Sequence, residues 1–272
     1  MKKQILPSLI SLAGGAIALI LRLLQNKTGF EPATGLPVAG NPYALFLPIF
    51  LVVIAVALAM AARPFRACQI PVFPQDFSAK NSSLLAIPVA GVLLTGISGM
   101  IPALANISPD AAVSAGSQAS VSQLIFAATA LIPALALLSA FSACKYQGAR
   151  SSMRISQKFD AATLLLIPPV ALVIRLVLVY RLCSIDPVLN RYYLQLLALI
   201  FMTLAYFFFA AFAVCSGKPF RFVLCACLAV MLSVAVLADC GEYPELLFYG
   251  GNAMILLGAL LLLPCRSKSS DS

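Results

Sequence analysis

Residues 43–62, YALFLPIFLVVIAVALAMAA, carry no charge and are long enough to cross a bilayer, since a span needs about 20 apolar residues. Seven more such runs follow the same rule, at 5–24, 84–105, 121–144, 161–183, 193–215, 220–239 and 245–264. Hydrocarbon offers unpaired backbone N–H and C=O groups no water, so only helices and closed barrels cross it. The runs are continuous rather than alternating in twos, which predicts helices. The expected fold is therefore all-α: a polytopic bundle of about eight transmembrane helices. It occupies one membrane domain over residues 1–264, followed by a short polar cytoplasmic tail at 265–272. Composition agrees: only 10% of residues are charged, against about 25% in a soluble domain. The first run follows MKK as a secretory signal would, but Arg22 comes next without an A-x-A site, so a retained helix is expected.

The net charge of +9 would suggest nucleic acid in a soluble protein. Here no basic segment is interleaved with aromatics, and retention of Lys and Arg on the cytoplasmic side accounts for the charge. With the N-terminus inside, 13 of the 18 basic residues fall on inner segments, among them Arg63, Arg66, Lys145, Arg154, Lys158, Lys218 and Arg221. The acids Glu31, Asp110, Asp186, Asp239, Glu242 and Glu245 fall outside. The expectation is a multi-pass protein of the cell membrane with both termini cytoplasmic and no nucleic-acid partner. Tyr43, Tyr180, Tyr192, Tyr193, Tyr243 and Tyr249 map near the outer boundary as a headgroup belt.

Two pairs of segments suggest an internal duplication. ILRLLQNKTGFEP (20–32) and VIRLVLVYRLCSIDP (173–187) each end a span with arginine and an acidic-Pro pair. ARPFRAC (62–68) and GKPFRFVLC (217–225) each begin an inner loop. The separations are alike, 42 positions from Arg22 to Pro64 and 44 from Arg175 to Pro219. Two parallel four-helix repeats, 1–150 and 151–264, would follow.

Arg175 is the anomalous residue. From Ala161 it lies about 21 Å along its helix, hence about 9 Å below the outer edge of the hydrocarbon. An arginine at that depth either snorkels to the headgroups or faces the bundle and finds partners. Arg22 lies nearer its own boundary. With Asp239, Glu242 and Glu245 clustered in the turn LADCGEYPEL, the two arginines define a candidate outward-facing site for a small anionic or zwitterionic ligand. Pro48, Pro88, Pro133 and Pro168-Pro169 fall inside spans and could open helices around it. Gly91, Thr95 and Gly99 form a small-residue stripe suited to helix packing.

The chain has no histidine and no Cys-x-x-Cys, so neither a metal nor a haem cofactor is expected. No P-loop, H-E-x-x-H or G-x-S-x-G is present, so catalysis is not expected. Span carboxylates are nearly absent, which argues against a proton-coupled carrier with a midplane acid. Cys183 and Cys240 both map to the outer side and could form a disulfide. The basic loop 145–158 could dock a cytoplasmic protein partner. The reading that follows is a small-solute permease or the membrane subunit of a transport system; the alternative is a sensor, scaffold or accessory protein that does not transport.

Overall fold

A computed structural model describes residues 2–29, 38, 41–68, 71, 73, 77, 82–105, 117–147, 155–183 and 192–263. Eight helices long and apolar enough to span a membrane occur among them: α1 (Lys2–Thr28), α2 (Pro42–Ala62), α3 (Ser82–Ala105), α4 (Ser117–Gln147), α5 (Ile155–Cys183), α6 (Tyr193–Ala210), α7 (Pro219–Val236) and α8 (Tyr243–Leu262). Large apolar side chains such as Leu45, Ile49, Val53 and Val177 point outward, as a surface solvated by acyl chains requires.

Helix boundaries follow local chemistry. Proline opens α2, α7 and α8 within their first two positions, where its missing N–H has no intrahelical partner to lose. Asn41 caps α2 by accepting from the Tyr43 N–H at 2.9 Å. α6 stops at Ala210 although the apolar run continues to 215. The chain turns there through Cys215, whose φ of 59° lies in the left-handed region, and Gly217 passes so close to the Phe212 ring that a Cβ would overlap it. α7 likewise ends at Val236, three residues before the end of its apolar run. The turn closed by Asp239 N–H to Val236 O at 2.8 Å leaves the Asp239 carboxylate directed at α1.

Helices α3 to α8 pack each on the next, and α3 closes onto α8, so the six form a ring. α1 packs along α7, and α2 lies against α1 and α7. The α3–α8 closure is tight: a Cβ on Gly91 would lie 2.6 Å from the Gly251 carbonyl oxygen, and one on Gly251 would strike Thr95. The small-residue stripe thus serves packing, with Gly99 turned toward α4. At one end of the ring, Phe73 and Phe77 fold back from the segment after α2. They pack edge-on to Phe209 near Phe212 and Phe222, and the Phe73 N–H donates to Phe212 O at 3.3 Å. This is the phenylalanine end of the bundle; the opposite one, carrying Asp239, is the acidic end.

The structure bears on three expectations. The proline-bearing helices α3, α4 and α5 run unbroken through Pro88, Pro133 and Pro168-Pro169. The packing lends the duplication no support: α6 packs on α7 and α7 on α8, whereas α2, the counterpart of α6, packs on α1 and α7 rather than on α3. Cys183 and Cys240 are thiols, not a disulfide; Cys68, at the phenylalanine end, is disulfide-bonded. The side chains of the 145–158 loop and the tail 265–272 lie outside the described residues.

Candidate functional site

The five residues singled out in the sequence separate into two places. Arg22 is fully buried between α1 and α7. Its Nε donates to Asp239 Oδ1 at 2.7 Å and Oδ2 at 3.0 Å, and its Nη1 donates to Gln25 Oε1 at 2.9 Å. Asn26 Nδ2 donates to the same carboxylate at 2.8 Å and to Ala238 O at 3.2 Å. The Tyr193 ring lies 5.7 Å from the guanidinium carbon. The Asp239 side chain is only 7% exposed, so charge and hydrogen bonds are matched with little water. This is an internal strut between α1 and α7. Arg22 and Asp239, expected with Arg175 in one site, answer each other here.

A signal for that strut was present. Ser8, Ser11, Gly15, Ala18, Arg22 and Gln25 recur at steps of three and four along α1 and are all buried. Ser11 Oγ donates to Cys227 O on α7 at 3.0 Å. A stripe of small and polar residues at that spacing marks a face that meets another helix in lipid.

Arg175 lies inside the ring, 6% exposed, and does not snorkel. Its guanidinium carbon stands 3.6 Å from the Phe248 ring centre and 5.0 Å from that of Phe126. Nη1 approaches Phe126 O at 3.5 Å, the limit of a hydrogen bond. Nε has no acceptor. Glu245, Tyr249 and Cys240 are its electrostatic neighbours, but the described residues contain no direct Arg175–Glu245 ion pair. Glu242 is exposed at the start of α8. Tyr249, expected in the headgroup belt, is buried beside Arg175, whereas Tyr180 and Tyr243 do face outward.

One turn further toward the phenylalanine end, a cavity of about 10 Å³ lies between Thr95, Thr129, Pro133, Pro168, Tyr206 and Asn252. That is room for about one water. Tyr206 OH donates to Asn252 Oδ1 at 2.9 Å, and Asn252 Nδ2 donates to Phe248 O at 2.8 Å. Sequence reasoning missed this polar cluster; isolated Thr, Tyr and Asn residues on four helices carry no spacing that would join them. A larger recess between α4 and α5 is lined by Ile132, Leu166, Val170 and Ile174. Those side chains are about half exposed on the lipid-facing side, and the recess offers no charge.

No family model, curated protein or solved structure matches the chain.

Proposed function

We propose that the protein is a small-solute permease, or the membrane subunit of one, which takes the anionic group of its ligand on Arg175 from the outer face of the cell membrane. The observation that carries this reading is the buried Nε without an acceptor. An arginine in a low-dielectric interior needs a counter-charge or a full set of acceptors, and Arg22 shows how this chain supplies both. Arg175 is given aromatic faces and one marginal carbonyl instead. A ligand carboxylate or phosphate would complete it. The aromatic packing at the phenylalanine end fits a bundle closed on the cytoplasmic side and approached from the acidic end.

The test is uptake and ligand-induced thermal stabilisation with Arg175→Gln, which removes the charge at similar volume. Loss of both in a protein that still inserts is the expected result; unchanged uptake overturns the reading. Orientation is checked in the same vesicles. Cys215, exposed at the phenylalanine end, should resist an impermeant maleimide added outside. This control matters because the Cys68 disulfide favours an oxidising compartment, against the cytoplasmic side favoured by the basic residues.

The narrow cavity below Arg175 favours a second reading, a sensor or accessory protein that binds at Arg175 without translocating. Ligand-induced stabilisation without uptake in sealed proteoliposomes selects it.

A further inference from the structure

We infer that the ligand is a small zwitterion of the α-amino-acid class, its carboxylate on Arg175 and its ammonium on Glu245. This rests on the ligand-binding reading of Arg175 and adds a role for Glu245. The guanidinium is a planar fork whose donors all lie in its plane. Phe248 stands 3.6 Å and Phe126 5.0 Å from its central carbon, so aromatic rings line it while its in-plane donors still need acceptors. A buried in-plane donor left without an acceptor matches a carboxylate, which accepts two parallel N–H bonds in the same plane.

Glu245 supplies the other half. It lies in the first turn of α8, and Phe248 and Tyr249, three and four residues on, share its side of the helix. Both of those residues neighbour Arg175. Glu245 is half-buried and within electrostatic range of the guanidinium, yet makes no ion pair with it. Arg22 and Asp239, in contrast, close to 2.7 Å. Opposite charges near one another in a weakly screening interior attract strongly, so two that stay unpaired call for something that answers both. A simple anion would satisfy Arg175 while crowding negative charge against Glu245. A simple cation would leave Nε as it stands. A molecule carrying both charged groups on one carbon satisfies each without a net charge to bury.

The experiment uses the full chain in nanodiscs and three probes of similar size: alanine, propionate and ethylamine, each at millimolar concentration. Alanine should raise the unfolding temperature in a dose-dependent way, and propionate and ethylamine should bind at least about tenfold more weakly. Glu245→Gln should erase the preference for alanine over propionate, while Arg175→Gln should lose the response to both. Where Arg175→Gln does not fold, Arg175→Lys keeps the charge without the fork and should weaken alanine binding by about tenfold or more. Equal responses to alanine and propionate, unchanged in Glu245→Gln, overturn the zwitterion and leave Arg175 as an anion site. No response to any probe also overturns it, a water-bridged Arg175–Glu245 pair then standing in its place. An alanine response that survives in both Arg175 variants overturns this inference and the Arg175 reading together.

Discussion

Arg22 and Arg175 are the two buried arginines among the described residues, and they are solved in opposite ways. Arg22, between α1 and α7, has a carboxylate, an amide oxygen and an aromatic ring around it, and Asn26 braces the carboxylate from behind. Arg175, inside the ring of six helices, has two aromatic rings, one distant carbonyl and a donor left over. Burial is nearly the same in both. What differs is completion, and completion separates a charge that holds helices together from one that waits for something to bind. The arginine placed nearer its boundary by sequence is the one locked dry, so depth alone does not mark a site.

The largest effect should come from breaking the completed pair. Asp239→Ala leaves Arg22 buried with no counter-charge, and removing one partner of a buried pair costs about 3–5 kcal/mol. Reversible unfolding in nanodiscs or mixed micelles measures it. The double variant Arg22→Met, Asp239→Leu should recover most of that loss, because a buried pair exchanged for apolar groups of similar volume is often neutral. A small loss in Asp239→Ala would mean that water reaches Arg22 and would erase the contrast with Arg175.

Arg175→Met should move stability the other way. No ion pair is lost, and an unsatisfied buried donor, a burden of about 1–3 kcal/mol, disappears. The expected outcome is a protein as stable as wild type or more stable by about 1 kcal/mol, with ligand response abolished. Stability gained while function is lost is the pattern of a site that holds unmet polarity for a ligand. A loss comparable to that of Asp239→Ala would make Arg175 a structural residue with a partner, and the comparison between the two arginines would collapse.

The membrane architecture was legible because hydrocarbon imposes a length and a composition on every span. Eight apolar runs became eight helices, with ends shifted where a turn overrode the apolar pattern, as at Ala210 and Val236. Arg175 stood out for the same reason: a charge inside an apolar run breaks the rule that defines the run. Its surroundings were not legible. Phe126, Phe248 and Tyr249 resemble any other aromatic residues of a span, and only the closure of α3 on α8 brings α4, α5 and α8 round one guanidinium. The separation of Asp239 from Glu245 was equally hidden. They lie six residues apart in one turn, yet the chain reversal after Val236 sends the first toward α1 while the second stays with α8. The Phe73–Phe77 packing had no signal either, since a polar-flanked loop gives no sign that two of its side chains turn back under the bundle.

The smallest expected effect reads the same contrast through a thiol. Cys240 sits in the turn between the last two helices, outside both spans, half-buried between Asp239 and the Arg175 neighbourhood. Burial first, then Glu245 and Asp239, push its pKa up to about 12, while Arg175 pulls it down. The thiolate is the nucleophile, so alkylation by a small maleimide should be slow at pH 8 and should quicken as pH rises toward that value. Glu245→Gln removes a charge that opposes the thiolate and should speed alkylation several-fold. Arg175→Gln removes one that favours it and should slow the reaction. Asp239 opposes the thiolate as well, but its charge is already shared with Arg22 and Asn26. Glu245 has no such partner and should dominate the rate. Labelling measured by mass spectrometry on variants lacking the other exposed thiols reads all three proteins side by side. If Glu245→Gln leaves the rate unchanged, Glu245 does not face the Arg175 neighbourhood, and the proposed ammonium position is lost.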